Sequence, residues 1–263
     1  MSNSAKKVLV TGGTGLLGRE LVSFFENNHV PYVIGSRNQP ANDILKTHWK
    51  KLDLATGEGL SECLENIDTI FHLASATRPF NPATDVEGTR KMLEAGKLSG
   101  VNHIIYVSIV GIDKLPISYY KIKIAAEQVI KDAGVDYTIL RSTQFHTFLN
   151  TTIKKALKYP VAFMPKAIKY QPVGLIFVVD KLMDIYENGP INDTLEIGGP
   201  EVITMGEAAA QWLKAHNKKR WIINVPITLA GKLGKNLAEG GLTTSAIVKH
   251  SQTWAEYLEQ SIS

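Results

Sequence analysis

An apolar stretch, Lys-Val-Leu-Val-Thr at 7–11, runs without interruption into Gly-Gly-Thr-Gly-Leu-Leu-Gly at 12–18, and a helical pattern follows at 16–27. Few sequences restrict a fold more. A buried strand, a glycine turn and a helix in that order open a βαβ unit. Gly13, Gly15 and Gly18 satisfy G-x-G-x-x-G, and Gly12, Gly15 and Gly18 its wider variant. The early glycines permit the tight turn, the absence of a Cβ admits a close backbone approach by a pyrophosphate, and Gly18 lets the helix lie close. With the helix N-terminus offering unpaired amides, the backbone of Gly12, Gly13, Thr14, Gly15, Leu16, Leu17 and Gly18 is the expected dinucleotide cradle.

The rest of the first half repeats the alternation. Short Val- and Ile-rich runs at 32–35, 50–52, 69–73, 103–107 and 137–140 are separated by helical patterns at 60–65, 87–99 and 119–133. That order predicts an α/β fold, a Rossmann-type doubly wound parallel sheet, in which ligands lie at the carboxyl ends of the strands. Beyond Arg141 the texture changes. A helical stretch at 145–158 gives way to a Pro-rich segment at 160–172 and then to mixed short elements, while Thr-Leu-Glu-Ile-Gly-Gly at 194–199 reads as a strand rejoining the sheet. The expected organisation is a dinucleotide-binding core over 1–144 and a small interleaved C-terminal substrate lobe over 145–263. For 263 residues, 44% hydrophobic and 21% charged, one core with a lobe is the natural size.

The second strand ends Gly35-Ser36-Arg37-Asn38, and no acidic residue stands between Glu26 and Asp43. A carboxylate there would take the ribose 2′-hydroxyl of NAD; Arg37 instead offers a planar fork to a 2′-phosphate, with Ser36 adding a hydrogen bond. NADP(H) is therefore expected over NAD(H).

Four blocks, Thr-Gly-Gly-Thr-Gly-Leu-Leu-Gly at 11–18, Tyr-Val-Ser-Ile-Val-Gly at 106–111, Tyr-Tyr-Lys-Ile-Lys-Ile-Ala-Ala-Glu at 119–127 and Leu-Arg-Ser-Thr-Gln-Phe-His at 140–146, carry a resemblance. They resemble the atypical short-chain dehydrogenase/reductase superfamily, in particular its NmrA-like, NAD(P)-binding oxidoreductase branch. The likeness continues through Glu-Ile-Gly-Gly-Pro-Glu-Val-Ile-Thr-Met-Gly-Glu at 196–207 and Thr-Trp-Ala-Glu-Tyr-Leu at 253–258, which looks like a closing helix. It implies that Asp53 and Leu54 lie against adenine, that Ala74 and Ser75 line the cofactor cleft, and that Thr143 and Gln144 approach the nicotinamide. It also implies a Tyr-x-x-x-Lys pair, here Tyr119 and Lys123, on one face of a helix. In that role Lys123 lowers the tyrosine pKa and holds the nicotinamide ribose, Tyr119 protonates a carbonyl oxygen that receives hydride, and Ser108 hydrogen-bonds the same oxygen. Ser108 stands closer to Tyr119 than the serine of most such enzymes.

The leading expectation is an NADPH-dependent oxidoreductase acting on a small carbonyl or quinone compound. An NAD(P)-sensing regulatory protein without turnover is the alternative, and a sugar-nucleotide epimerase or dehydratase comes third. Phe145, Phe148, Phe163 and Met164 are candidates for an apolar pocket, and His146 for a structural position. A net charge of +4 with scattered cations does not call for nucleic acid, and Lys214–Arg220 reads as a cationic helix end. No His or Cys spacing suggests a metal, and G-x-S-x-G is absent. Cys63, the 1 cysteine of the chain, reads as a small buried apolar group in a reducing compartment. Residues 1–7 carry no apolar stretch of signal-peptide kind and no run approaches the ~20 residues of a bilayer span, so the expected location is the cytoplasm. The expected partners are a small-molecule substrate and a second copy of the chain, with neither membrane nor nucleic acid.

Overall fold

The computed structural model describes residues 7–75 and 82–262, so most of the N-terminal stretch read above lies outside the described residues. Its strands are β1 (Lys7–Thr11), β2 (Tyr32–Ser36), β3 (Trp49–Lys51), β4 (Ile67–His72), β5 (His103–Ile109), β6 (Tyr137–Ser142), β7 (Val161–Met164), β8 (Lys169–Tyr170), β9 (Asp193–Ile197), β10 (Ile203–Thr204) and β11 (Trp221–Asn224). Seven of them form one sheet in the order β3-β2-β1-β4-β5-β6-β9. β1 pairs in parallel with both β2 and β4. Strand order therefore reverses between β1 and β4, and the crevice beyond their carboxyl ends is where such sheets take ligands.

Val8, Leu9 and Val10 of β1 are all buried, the continuous apolar run of a parallel strand covered on both faces. The first helix, α1 (Leu16–Asn27), buries Leu17, Leu21, Val22 and Phe25 along one stripe. Phe25 meets Phe71 of β4 edge-on at 5.4 Å. Around them Leu9, Val33, Leu52, Leu64, Ile70, Met92, Ile104 and Ile139 build the core. Two short helices, α2 (Asp43–Thr47) and α3 (Leu60–Cys63), flank β3. Cys63 is fully buried, its thiol donates to Lys51 O at 3.6 Å, and burial pushes its pKa up to about 11. A π-helical turn, Ala83–Glu87, leads into α4 (Gly88–Leu98), and α5 (Ser118–Asp132) packs against that turn.

The chain divides into two compact units. The first comprises Met1–Ser108, Ser118–Leu140 and Val179–Leu195, and the second Ile109–Ile117, Arg141–Val178 and Glu196–Ser263. In the second, α6 (His146–Ala156), α8 (Met205–Ala215) and α10 (Trp254–Ile262) pack around Trp254, whose indole donates to Ala208 O at 3.1 Å. Thr204 and Glu207 close a capping box at the start of α8. His146 is buried and stacks on Tyr257 at 5.0 Å; burial lowers its pKa to about 4. The remaining helices are α7 (Leu175–Asn188) and α9 (Gly231–Ala238). α7 replaces the mixed short elements expected after the Pro-rich segment. Its Val178, Val179, Leu182, Met183 and Ile185 are buried, so packing outweighs the modest helix propensity of its β-branched residues. Among the described residues no helix is long and apolar enough to cross a membrane.

Candidate functional site

The glycine turn has two positions that only glycine can fill. Gly12 has φ 75°, and a Cβ there would lie 2.7 Å from Ala74 N, so the turn is pressed against the residue that follows β4. At Gly18 a Cβ would drive into Gly12 O and lie 2.6 Å from Gly13 Cα; the helix is close to the turn itself, not only to the strand. Gly13 is buried against Ile34, while Thr14 and the exposed Leu16 border the turn and Leu17 enters the core. Gly15 differs from its neighbours. It is exposed at the N-cap of α1, and among the described residues the sole atom within 4 Å of an added Cβ is Gly12 O at 3.1 Å. Among the described residues no side chain caps α1, and its first turn holds no acidic residue. An uncapped helix start with its Cβ-free face open fits the pyrophosphate of a dinucleotide.

At the end of β2 the expected residues divide. Arg37 is exposed on the loop, whereas the Ser36 hydroxyl already donates to Asn38 O at 2.9 Å and accepts from the Trp49 indole at 3.0 Å. Asp53 accepts the Ala55 amide at 2.9 Å and so shapes its own turn, while Leu54 is buried. A cleft of about 810 Å³, lined by Thr14, Arg19, Asn38 and Asn42 among others, runs from the glycine turn along α1.

A buried polar chain lies beyond the end of β4. The Tyr119 hydroxyl, half-buried on α5, is 2.9 Å from Ser75 Oγ, which donates to Asp85 Oδ1 at 2.5 Å. Asp85, in the π turn, is 2% exposed. From the same turn Asp85 O accepts Thr89 Oγ1 at 2.7 Å, and Thr89 Oγ1 meets His72 Nε2 at 2.8 Å. His72 Nδ1 in turn meets Thr11 Oγ1 at 2.7 Å, tying the end of β4 to the end of β1. Burial, with the Lys123 charge adding to it, holds His72 neutral at a pKa of about 3. Ala74, half-buried, and Ser75 are the residues that link this chain to the glycine turn.

Lys123 does not do what the Tyr-x-x-x-Lys spacing led us to expect. Its ammonium is buried, donates to Val107 O at 2.8 Å and sits 4.0 Å from the centroid of the Tyr106 ring. Burial lowers its pKa to about 8, and the Asp85 and Glu127 carboxylates oppose that fall. Tyr119 is raised above the ordinary phenol value, not lowered: burial dominates, the Ser75 hydrogen bond opposes it, and the Asp85 charge adds to the rise. At neutral pH the phenol holds its proton, as an acid must.

The other expected residues are scattered. Ser108 Oγ is buried at the end of β5 with no hydrogen-bond partner among the described residues. In the second unit the Thr143 hydroxyl donates to Gln171 O at 2.5 Å, and the Gln144 amide donates to Leu242 O at 3.3 Å. The expected apolar pocket is not formed by its four candidates. Phe148 and Phe163 are 54% and 69% exposed while Met164 is buried, because strand alternation sends Phe163 and Met164 to opposite faces of β7. Asp85, His72 and Thr11 were missed. Asp85 stands in Thr-Asp-Val-Glu-Gly-Thr at 84–89, where an acidic residue in a polar helix start reads as a solvated cap; the interrupting π turn leaves no trace in the sequence.

A family profile described as NAD(P)H-binding matches residues 12–160, more than half of the chain, from the glycine turn after β1 to the end of α6. The chain belongs to the NAD(P)H-binding family. Among its relatives, the photosystem II assembly factor Ycf39 of Cyanophora paradoxa is 31% identical over 148 residues, covering 52% of this chain and 45% of that protein. The chain spans less than half the length of that relative. Divinyl chlorophyllide a 8-vinyl-reductase of Arabidopsis thaliana is 22% identical over 256 residues, 84% of this chain and 60% of the relative. Among solved structures, the NADPH complex of the quinone oxidoreductase QOR2 from Escherichia coli superposes with a TM-score of 0.81 at 20% identity, over 97% of this chain and 100% of the other. The likeness read from the four sequence blocks thus holds for family and fold.

Proposed function

We propose that this NAD(P)H-binding protein is an NADPH-dependent reductase of a small carbonyl or quinone compound. The observation that carries the reading is the Tyr119 phenol, held in its protonated form by burial and anchored at 2.9 Å to Ser75 beyond the carboxyl end of β4. A reduced dinucleotide supplies hydride. The chain's part is to hold the pyrophosphate at Gly12–Gly18, to pair the 2′-phosphate with Arg37, and to give the substrate oxygen a proton from Tyr119. Ser108 Oγ, buried with no partner among the described residues, is a second donor for that oxygen. A 20%-identical protein of the same fold, an NADPH-dependent quinone oxidoreductase, supports the substrate class.

The experiment is NADPH oxidation against a panel of quinones, aldehydes and ketones, with Tyr119→Phe beside the parent. Turnover should fall ~10²–10⁴-fold in the variant while NADPH affinity holds. Parental turnover in Tyr119→Phe would remove the assignment. A second reading, a dinucleotide-sensing protein without turnover, is favoured by one observation: the Lys123 ammonium is committed to Val107 O and the Tyr106 ring. It predicts NADPH binding with no acceptor reduced.

A further inference from the structure

The reductase reading leaves a question of supply. Each turnover takes one proton from Tyr119, a half-buried residue whose hydroxyl is already engaged at 2.9 Å by Ser75. We propose that Ser75 and Asp85 form a proton relay behind Tyr119, with the buried Asp85 carboxyl group as the reservoir and the Ser75 hydroxyl linking it to the phenol. The proposal rests on the reading above and extends it to Asp85 and to Ser75, which the sequence resemblance places along the cofactor cleft.

Three features support a relay over a simple counter-charge for Lys123. First, the contacts are short and serial: 2.9 Å from phenol to hydroxyl and 2.5 Å from hydroxyl to carboxylate. A counter-ion needs no hydroxyl bridging it to a tyrosine. Second, Asp85 is 2% exposed, and a carboxyl group is kept at such a site only when its partners repay the desolvation. Third, it is presented by a π turn, Ala83–Glu87, a departure from α geometry that occurs most often at functional positions. The turn packs against α5, which carries Tyr119.

A serine has one proton, and this gives the chain a direction. With Asp85 ionised, Ser75 donates to Asp85 and accepts from Tyr119, so the phenol proton points into the protein. With Asp85 protonated the order reverses: Asp85 donates to Ser75, Ser75 to Tyr119, and the phenol proton turns outward to the substrate. In the reductive step the carbonyl carbon takes hydride from the reduced dinucleotide, which is thereby oxidised. The π pair moves to the carbonyl oxygen, and that oxygen takes the Tyr119 proton. Tyr119 then recovers a proton from Ser75, Ser75 from Asp85, and Asp85 from solvent water. Charge and proton count balance, with one hydride and one solvent proton consumed per alcohol formed. Among the described residues, the titratable groups around the carboxylate include Tyr119, Lys123 and Glu127 of α5, Tyr106 of β5, and His72 of β4, which reaches the Asp85 backbone through Thr89.

The test has two arms. In the cofactor-free protein, Tyr119 ionisation is followed by ultraviolet difference absorbance against Tyr119→Phe. Asp85→Asn should lower its midpoint by removing a negative charge, and an unchanged midpoint would overturn the coupling of the carboxylate to the phenol. In steady state with NADPH and a reducible quinone, Ser75→Ala and Asp85→Asn should each lower kcat about tenfold, below the loss for the acid itself, with KM for NADPH within about twofold in Asp85→Asn. The proton inventory in mixed light and heavy water should change from curved to linear, and Ser75→Thr should restore kcat. If Ser75→Ala and Asp85→Asn keep parental kcat and inventory while Tyr119→Phe loses turnover, the relay is wrong and the reductase stands. If the parent reduces no acceptor, the reductase falls and the relay with it.

Discussion

Gly15→Val separates holding a dinucleotide from holding a fold. Gly15 has φ −76° and ψ 179°, an extended conformation open to valine, and its added Cβ meets one atom, Gly12 O at 3.1 Å. The backbone must give by a few tenths of an ångström at most. Replacing glycine by valine at an N-cap costs about 1 kcal/mol, which for a chain of this size lowers Tm by roughly 2–4 °C. The two Cγ methyls, however, stand over the uncapped amides of α1. Losing two charge-assisted hydrogen bonds to pyrophosphate, at ~1.5–3 kcal/mol each, weakens NADPH by ~10²–10⁴-fold. Gly18→Ala is the control for stability: its Cβ would lie 2.6 Å from Gly13 Cα and run into Gly12 O, so it should cost more stability, roughly 1–3 kcal/mol. Fluorescence titration of NADPH paired with thermal melts followed by circular dichroism reads both. A folded Gly15→Val that binds NADPH within about threefold of the parent would refute the cradle.

Arg37→Ala should weaken NADPH by roughly 1.5–3 kcal/mol and leave NADH nearly unchanged; equal losses in parallel titrations would count against the 2′-phosphate contact. Lys123 is a buried base whose folded pKa is lowered from 10.5 to about 8, so its ionisation penalty is present in full below about pH 8. Between about pH 8 and 10.5 the folded state sheds the proton while the unfolded state keeps it. Stability relative to Lys123→Met should therefore rise across that window, by up to roughly 3 kcal/mol in urea melts, and a flat difference would mean that the ammonium is solvated. Removing the α8 capping box with Thr204→Ala should cost about 1 kcal/mol in the same melts, without altering NADPH affinity.

The first βαβ unit was legible because its determinants are local. Val8, Leu9 and Val10 fix a buried strand, the glycines fix the turn, and the apolar stripe of α1 fixes a helix whose bounds agree at both ends with the pattern. β9 was legible too, as a short run beside glycines. α7 was not: Leu-Ile-Phe-Val-Val has the β-branched content of a strand, and burial alone makes it helical. The candidate site shows the same limit. Tyr119 and Lys123 share a helix face by spacing, yet what each side chain touches is decided by Ser75, Asp85, Val107 and Tyr106, all brought in from other elements. Sequence separation hides such partners: Ser75 and Tyr119 stand 44 positions apart.

The solitary thiol gives the first unit an internal clock. Cys63 is sealed beneath β3, and with its pKa near 11 it is almost wholly the unreactive thiol at neutral pH. An alkylating reagent can therefore reach it only when this side of the sheet opens, so the labelling rate of the unaltered protein counts local openings without any engineered probe. Because the end of β2, where Arg37 stands, hydrogen-bonds to Trp49 of the adjoining β3, a dinucleotide that grips that edge should slow the clock.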